Sequence, residues 1–151
     1  MKVLLIEDET QKADRVTAAL NDLPFEITIE LRRSYQSGLK FFENGVTVDC
    51  IILDMSLPTF DATMNTRHGR PRPLGGYDLM RKLRRSGNKS PVIVLTAYEN
   101  FGLLDEQLTF DELGDVLRSE FGYQFVDIIY YSQSRSSWYA QLHNSLTELS
   151  K

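Results

Sequence analysis

The chain alternates short apolar runs with longer stretches whose apolar residues recur at helical spacing. Apolar runs at 2–6, 48–54, 91–96 and 124–131 predict four strands, and the continuous ones are typical of strands covered on both faces. Segment 25–33 alternates strictly between apolar and polar residues, which predicts a half-exposed strand at a sheet edge. Helical spacing predicts a helix that ends before Pro24, one from Ser34 to Gly45, and three more over 76–87, 109–122 and 136–149.

Strands that alternate with helices in this way predict an α/β fold, with a parallel sheet and helices on both faces. We expect residues 1–151 to form a single domain. Residues 55–75 interrupt the alternation with three prolines and no clear period, and they are too long for an ordinary strand-to-helix connection. This segment is therefore expected to be an inserted loop.

Composition and charge indicate a globular protein and argue against nucleic-acid-binding and membrane proteins. Hydrophobic residues make up 42% of the chain and charged residues 25%, which is ordinary for a globular protein. The net charge of −4 argues against broad nucleic-acid binding. No apolar stretch is long enough to span a bilayer, and the N-terminal segment turns acidic too early for a signal peptide, so no membrane role and a cytoplasmic location are expected. Cys50, the single cysteine, is expected to be a buried thiol.

Acidic side chains stand where two predicted strands end. Glu7 and Asp8 follow the first strand, Asp54 ends the third, and Thr96 ends the fourth. Parallel sheets place their sites at the carboxyl ends of the strands, so these side chains converge if the three strands are neighbours. Three carboxylates together would suit a divalent cation and would make Asp54 a candidate nucleophile.

Four motifs in order, "VLLIEDE", "DCIILDMSLP", "GGYDLMRKLR" and "PVIVLTAYE", resemble the receiver domain of bacterial two-component response regulators. The resemblance covers nearly the whole chain except 59–74 and roughly 100–122. It implies a flavodoxin-like, doubly wound sheet of five parallel strands in the order 2-1-3-4-5. It implies that Asp54 is the phosphoacceptor and that Mg²⁺ is held by Glu7, Asp8, Asp54 and the backbone carbonyl of Ser56. Thr96 would contact the phosphoryl group.

The chain departs from the family at strand five, which usually ends in lysine and proline. Tyr131 and Ser132 take those positions, and no lysine lies between Lys89 and Lys151. We therefore expect a pocket that lacks one of its two positive charges, which weakens phosphoryl binding. One hypothesis is that an arginine of the inserted loop folds over the pocket and replaces that charge, the candidates being Arg67, Arg70 and Arg72.

The resemblance implies a stand-alone receiver for phosphorelay signalling, not an enzyme. A histidine kinase or phosphotransfer protein would donate the phosphoryl group to Asp54. A downstream protein effector would bind the surface formed by helix 4, strand 5 and helix 5. A homodimer could form through the same surface. The alternative is a pseudo-receiver, a protein-interaction module that is insensitive to phosphorylation; the strand-five departure favours it and the complete acidic triad opposes it. A flavodoxin-like cofactor protein ranks third, because acids stand where a phosphate-cradling loop would be needed.

Overall fold

Five parallel strands form the central sheet of the computed structural model, which describes residues 1–62, 71–102 and 107–151. The strands are β1 (Lys2–Ile6), β2 (Thr28–Arg32), β3 (Cys50–Leu53), β4 (Val92–Thr96) and β5 (Phe125–Tyr130). Their order is β2-β1-β3-β4-β5, with every neighbouring pair parallel. The predicted flavodoxin-like topology is therefore confirmed.

Helices cover both faces of this sheet. They are α1 (Thr10–Asn21), α2 (Tyr35–Phe41), α3 (Gly75–Arg85), α4 (Phe110–Phe121) and α5 (Ser137–Leu149). Apolar residues of α1 and α5 form one core with one face of the sheet, and those of α2, α3 and α4 form a second core with the other face. In the described part of the chain no helix has the length and apolar character that crossing a bilayer requires.

Capping chemistry sets the starts of two helices. The hydroxyl of Ser34 accepts from the backbone N–H of Ser37, and the Ser37 hydroxyl accepts from the Ser34 N–H. Thr109 and Glu112 form the same reciprocal pair at the start of α4. Both arrangements satisfy backbone donors that a helix start leaves free.

Two predicted bounds differ from the structure. Strand two was expected to begin at residue 25, but β2 begins at Thr28, because Thr28 pairs with Lys2, where β1 itself begins. The second helix ends at Phe41 and not at Gly45, and a short 3₁₀ turn follows it. The backbone there adopts a positive φ at Asn44, which ends the helical path.

A short pair of strands joins the two ends of the predicted loop 55–75. Leu57–Pro58 pairs antiparallel with Pro71–Arg72, and α3 follows at Gly75. Leu57 is buried, so this end of the segment belongs to the core beneath the carboxyl edge of the sheet. Residues 63–70 lie outside the described residues.

Cys50 lies inside β3 and is fully buried, as predicted. Burial raises the pKa of its thiol to about 12. A thiol in this state is inert toward oxidation and metal binding.

Candidate acidic site at the carboxyl edge of the sheet

Three carboxylates meet where β1 and β3 end. Ile6 pairs with Leu53 in the sheet, so the residues that follow them, Glu7, Asp8 and Asp54, emerge side by side. One carboxylate oxygen from each acid lies within 4.8 Å of the others. They line a cleft of about 420 Å³ that also includes Ser56. The grouping is the one that strand order predicts.

Asp54 is held firmly and has one free oxygen. Its backbone N–H donates to the carbonyl of Ile6 at 3.2 Å, and only 5% of the residue is exposed. Its Oδ2 is paired with Lys12, whereas its Oδ1 is buried and has no hydrogen-bond partner among the described residues. A buried carboxylate oxygen without a partner is costly, so this atom marks where a ligand of the cleft would bind.

Gly76 allows α3 to approach the backbone of Asp54. A Cβ at this position would lie 3.0 Å from the Cα of Met55 and closer still to the Asp54 carbonyl oxygen. The Gly76 N–H donates to the carbonyl of Met55 at 2.9 Å. Only glycine fits this contact, which fixes the chain directly after the candidate nucleophile.

A lysine of α1 fills the space between the acids. The Nζ of Lys12 lies 2.6 Å from Glu7 Oε2, 3.1 Å from Asp54 Oδ2 and 2.8 Å from the carbonyl oxygen of Leu95. The side chain is 2% exposed. An ammonium has three N–H donors, and all three have an acceptor here, which is the condition for burying such a charge.

Burial and charge act in opposite directions on this pair. For Glu7, burial is the largest effect; the attraction of Lys12 only partly offsets it and Asp54 adds to it, so the pKa rises to about 8. For Lys12, burial lowers the pKa, but the carboxylates of Asp54 and Glu7 outweigh it and hold the pKa above its usual range. Lys12 is therefore charged at neutral pH, while Glu7 takes up a proton readily when no cation is bound.

The expectation that the pocket lacks one of its positive charges is therefore wrong. The strand-five lysine is absent, but an ammonium reaches the same acids from α1. Lys12 was not among the predicted site residues, and it stands in the mostly polar segment "TQKADR". A signal was present: Lys12, Val16 and Leu20 follow one another at intervals of four on the buried side of α1.

Tyr131, which was predicted to take the position of the family's usual lysine, lies beside this ammonium. It is 2% exposed, and its N–H donates to the carbonyl of Thr96 at 2.8 Å. The Nζ of Lys12 is 5.4 Å from the centre of its ring. Its hydroxyl accepts from Arg15 Nη1 at 3.1 Å, and the Arg15 guanidinium also lies over the ring. The ring thus contacts two cations of α1.

Thr96 is less directly placed than the acids. It ends β4 and is fully buried, and it is not among the residues that line the cleft, where Ala97 and Tyr98 stand instead. Its Oγ1 accepts from the N–H of Tyr98 at 3.2 Å, which leaves its own O–H available to donate. The Tyr98 side chain is half exposed at the mouth of the cleft.

Arg72, the one loop arginine among the described residues, does not supply a positive charge to the pocket. The Arg72 guanidinium pairs with Asp78 at 3.4 Å and stacks on the ring of Tyr35 at 3.8 Å, so it points away from the acids. Arg67 and Arg70 lie outside the described residues.

Comparison with known proteins assigns this chain to a family. The chain is 28% identical over 153 residues to protein y4jR of Sinorhizobium fredii, with both chains covered completely. It is 26% identical over 151 residues to the Detocs response regulatory protein DtcB of Enterobacter cloacae, covering 99% of this chain and 100% of that one. A response regulator receiver domain protein of Clostridium thermocellum has a similar fold, with a TM-score of 0.66 at 17% identity over 98% of this chain and 92% of that one. The family model of the response regulator receiver domain matches residues 3–117, and the chain belongs to that family.

Proposed function

We propose that this chain is a receiver that accepts a phosphoryl group on Asp54 with the help of Mg²⁺. The observation that carries the proposal is Asp54 Oδ1, a buried carboxylate oxygen without a hydrogen-bond partner among the described residues, on a residue that lines a cleft with two further acids. An oxygen in this state is suited to form a new bond. Membership of the receiver family supports the same assignment.

The residues of the cleft fit a hard divalent cation. Glu7, Asp8 and Asp54 offer carboxylate oxygens, and the backbone carbonyl of Ser56 would complete the protein ligands. Mg²⁺ prefers a few such oxygens together with retained waters. When bound, it would neutralise the charge that builds on the phosphoryl oxygens during transfer.

Each side chain then has a task in the transfer. Asp54 Oδ1 attacks phosphorus and forms an O–P bond, while the P–N bond of a phosphohistidine donor breaks and its imidazole recovers a proton from water. The Thr96 hydroxyl, with its O–H still available, would donate to a phosphoryl oxygen. The hydrogen bond from Asp54 N–H to Ile6 holds the nucleophile at the sheet edge during the attack.

The donor would be a histidine kinase or a phosphotransfer protein, and the output a protein effector. A suitable surface lies on α4, β5 and α5, where Tyr130 is 39% exposed and packs edge-on against Phe110. Homodimerisation through the same surface is part of the proposal. We further propose that residues 1–151 act as one receiver unit in the cytoplasm, as a switch and not as an enzyme that turns over a substrate.

Intact-mass measurement tests the proposal. The protein is incubated with phosphoramidate and Mg²⁺, and the expected result is one phosphoryl adduct on the wild type and none on Asp54→Asn. Asp49→Asn is the matched control, since Asp49 precedes the same strand at its opposite end and accepts from the N–H of Lys2. It should be phosphorylated like the wild type.

A pseudo-receiver remains the second candidate, and one observation favours it. Lys12 already bridges Glu7 and Asp54, so the acids are partly neutralised without any ligand. If the wild type gains no adduct while it still binds Mg²⁺, the chain is a protein-interaction module whose acidic cluster serves stability.

A further inference from the structure

We propose that Lys12 of α1 performs the task that the family assigns to the strand-five lysine, which is to supply the ammonium that pairs with the acceptor aspartate and then with its phosphoryl group. The inference rests on the proposed function, because it concerns the same site. It moves the active-site cation from the strand to the first helix.

The contacts of Lys12 are those of a built site. The Nζ is anchored by the Leu95 carbonyl of β4 at 2.8 Å and reaches Asp54 Oδ2 at 3.1 Å. Asp54 therefore has one oxygen on the ammonium, and its other oxygen, Oδ1, has no hydrogen-bond partner in the part of the chain that the structure describes. This division lets one carboxylate face a cation and attack phosphorus at the same time.

Charge explains how Lys12 would respond to phosphorylation. When Oδ1 becomes bonded to phosphorus, Oδ2 becomes a neutral carbonyl oxygen and the negative charge moves to the phosphoryl oxygens. The attraction that holds Nζ on Asp54 is then redirected toward the new group. The flexible stem of a lysine permits such a short shift, whereas a rigid guanidinium fork would not.

Two other cations among the described residues, Arg15 and Arg72, contact other groups. The Arg15 guanidinium donates to the Tyr131 hydroxyl and to the carbonyl of Gln133 at 3.2 Å. Arg72 is paired with Asp78. Within residues 1–62, 71–102 and 107–151, Lys12 is the cation in ion-pair contact with Asp54.

Relocating the charge tests the inference. Lys12→Gln removes the ammonium and keeps a donor for the Leu95 carbonyl, and Lys12→Gln with Tyr131→Lys returns an ammonium to the strand position. At saturating Mg²⁺ we expect the single variant to accept phosphoryl from phosphoramidate about 100-fold more slowly than the wild type. The double variant should recover most of that loss, because the cation is restored from the other side. Lys40→Gln, on the exposed side of α2, is the matched control and should behave as wild type.

Magnesium affinity distinguishes the proposed role of Lys12 from a merely structural one. Loss of a structural residue would not tighten Mg²⁺ binding. Lys12 competes with Mg²⁺ for Glu7 and Asp54, so Lys12→Gln should bind Mg²⁺ about tenfold more tightly. A slow variant with weakened Mg²⁺ binding would point to a damaged pocket and would overturn the inference.

Failure of the proposed function and failure of the inference about Lys12 give different results. No adduct on the wild type overturns the proposed function and the inference with it, whereas an adduct that forms on Lys12→Gln within about twofold of the wild-type rate overturns the inference alone. A slow single variant that Tyr131→Lys does not rescue also contradicts it. If Lys12→Gln alone does not fold, the double variant decides: a folded Lys12→Gln, Tyr131→Lys protein that accepts phosphoryl supports the inference, because the ammonium then acts from the strand position, and one that gains no adduct overturns it.

Discussion

Magnesium binding should displace a proton from Glu7. This carboxyl is 2% exposed, and burial, with a smaller contribution from Asp54, raises its pKa to about 8 despite the ammonium of Lys12. A metal ligand must be deprotonated. At neutral pH the cation therefore competes with a proton for the same oxygen atoms.

The size of the effect follows from that pKa. With a pKa of about 8, Glu7 is about nine-tenths protonated at pH 7, so each Mg²⁺ that binds releases about 0.9 proton. The affinity should be about 50-fold weaker at pH 6 than at pH 8. The metal-free protein should show the opposite trend in stability. The folded pKa of Glu7 lies above the ordinary value of 4.5, so the stability that its proton contributes is fully present below pH 4.5 and is lost as the pH rises through 8.

Calorimetry measures the proton directly. Mg²⁺ is titrated at pH 7 in Pipes and in Tris, whose ionisation enthalpies differ, and the difference between the two apparent binding enthalpies gives the number of protons released. Glu7→Gln keeps an acceptor for the Glu9 N–H but has no proton to lose. Glu9→Gln removes the neighbouring exposed charge and is the matched control, so it should release the same proton as the wild type.

The reasoning is refuted if the wild type releases no proton, or if Glu7→Gln releases as many as the wild type. Either result would mean that the buried carboxyl is already ionised beside Lys12 before Mg²⁺ arrives. A thermal unfolding temperature of the metal-free protein that rises from pH 5 to pH 8 would contradict the stability trend in the same way.

Three further predictions concern the frame of the site. Gly76→Ala should destabilise the protein by about 2 kcal/mol, because its methyl group would meet the backbone of Asp54; urea unfolding measures this, and wild-type stability would show that α3 can shift away. Ser34→Ala should cost about 1 kcal/mol in the same assay through the lost cap of α2, and a change below a few tenths would contradict the assigned cap. Tyr131→Phe should lose about 1 kcal/mol with the hydrogen bond from Arg15 while phosphorylation of the variant proceeds at the wild-type rate, so a slower rate would assign the hydroxyl a part in transfer.

The fold was predictable because its signals are local and repeated. Continuous apolar runs gave the buried strands, strict alternation gave the edge strand β2, and the capping box at Thr109 gave the start of α4. The start of β2 was not predictable in the same way. Strand length depends on the partner, and the register that pairs Thr28 with Lys2 is not visible in the alternation of residues 25–33.

The acidic cluster was predictable for a related reason. Glu7, Asp8 and Asp54 follow strands, and strand order alone brings strand ends together. Lys12 lies in the first turn of α1, and a charged residue in a helix is usually solvated. Its burial depends on the distance between α1 and the sheet and on three acceptors, Glu7 after β1, Asp54 after β3 and Leu95 in β4, an arrangement that has no local sequence pattern.

The aromatic residue at position 131 is electrostatically compatible with the buried lysine at position 12. The Nζ of Lys12 lies 5.4 Å from the Tyr131 ring centre, and the Arg15 guanidinium lies 5.6 Å from the same ring. A lysine at 131 would add a third cation to this buried group, and like charges at such distances repel strongly in a poorly solvated interior. A tyrosine attracts both cations through its ring and gives Arg15 an acceptor for its N–H. A buried ammonium at position 12 and a tyrosine at position 131 are therefore compatible with each other, as the proposed role of Lys12 requires.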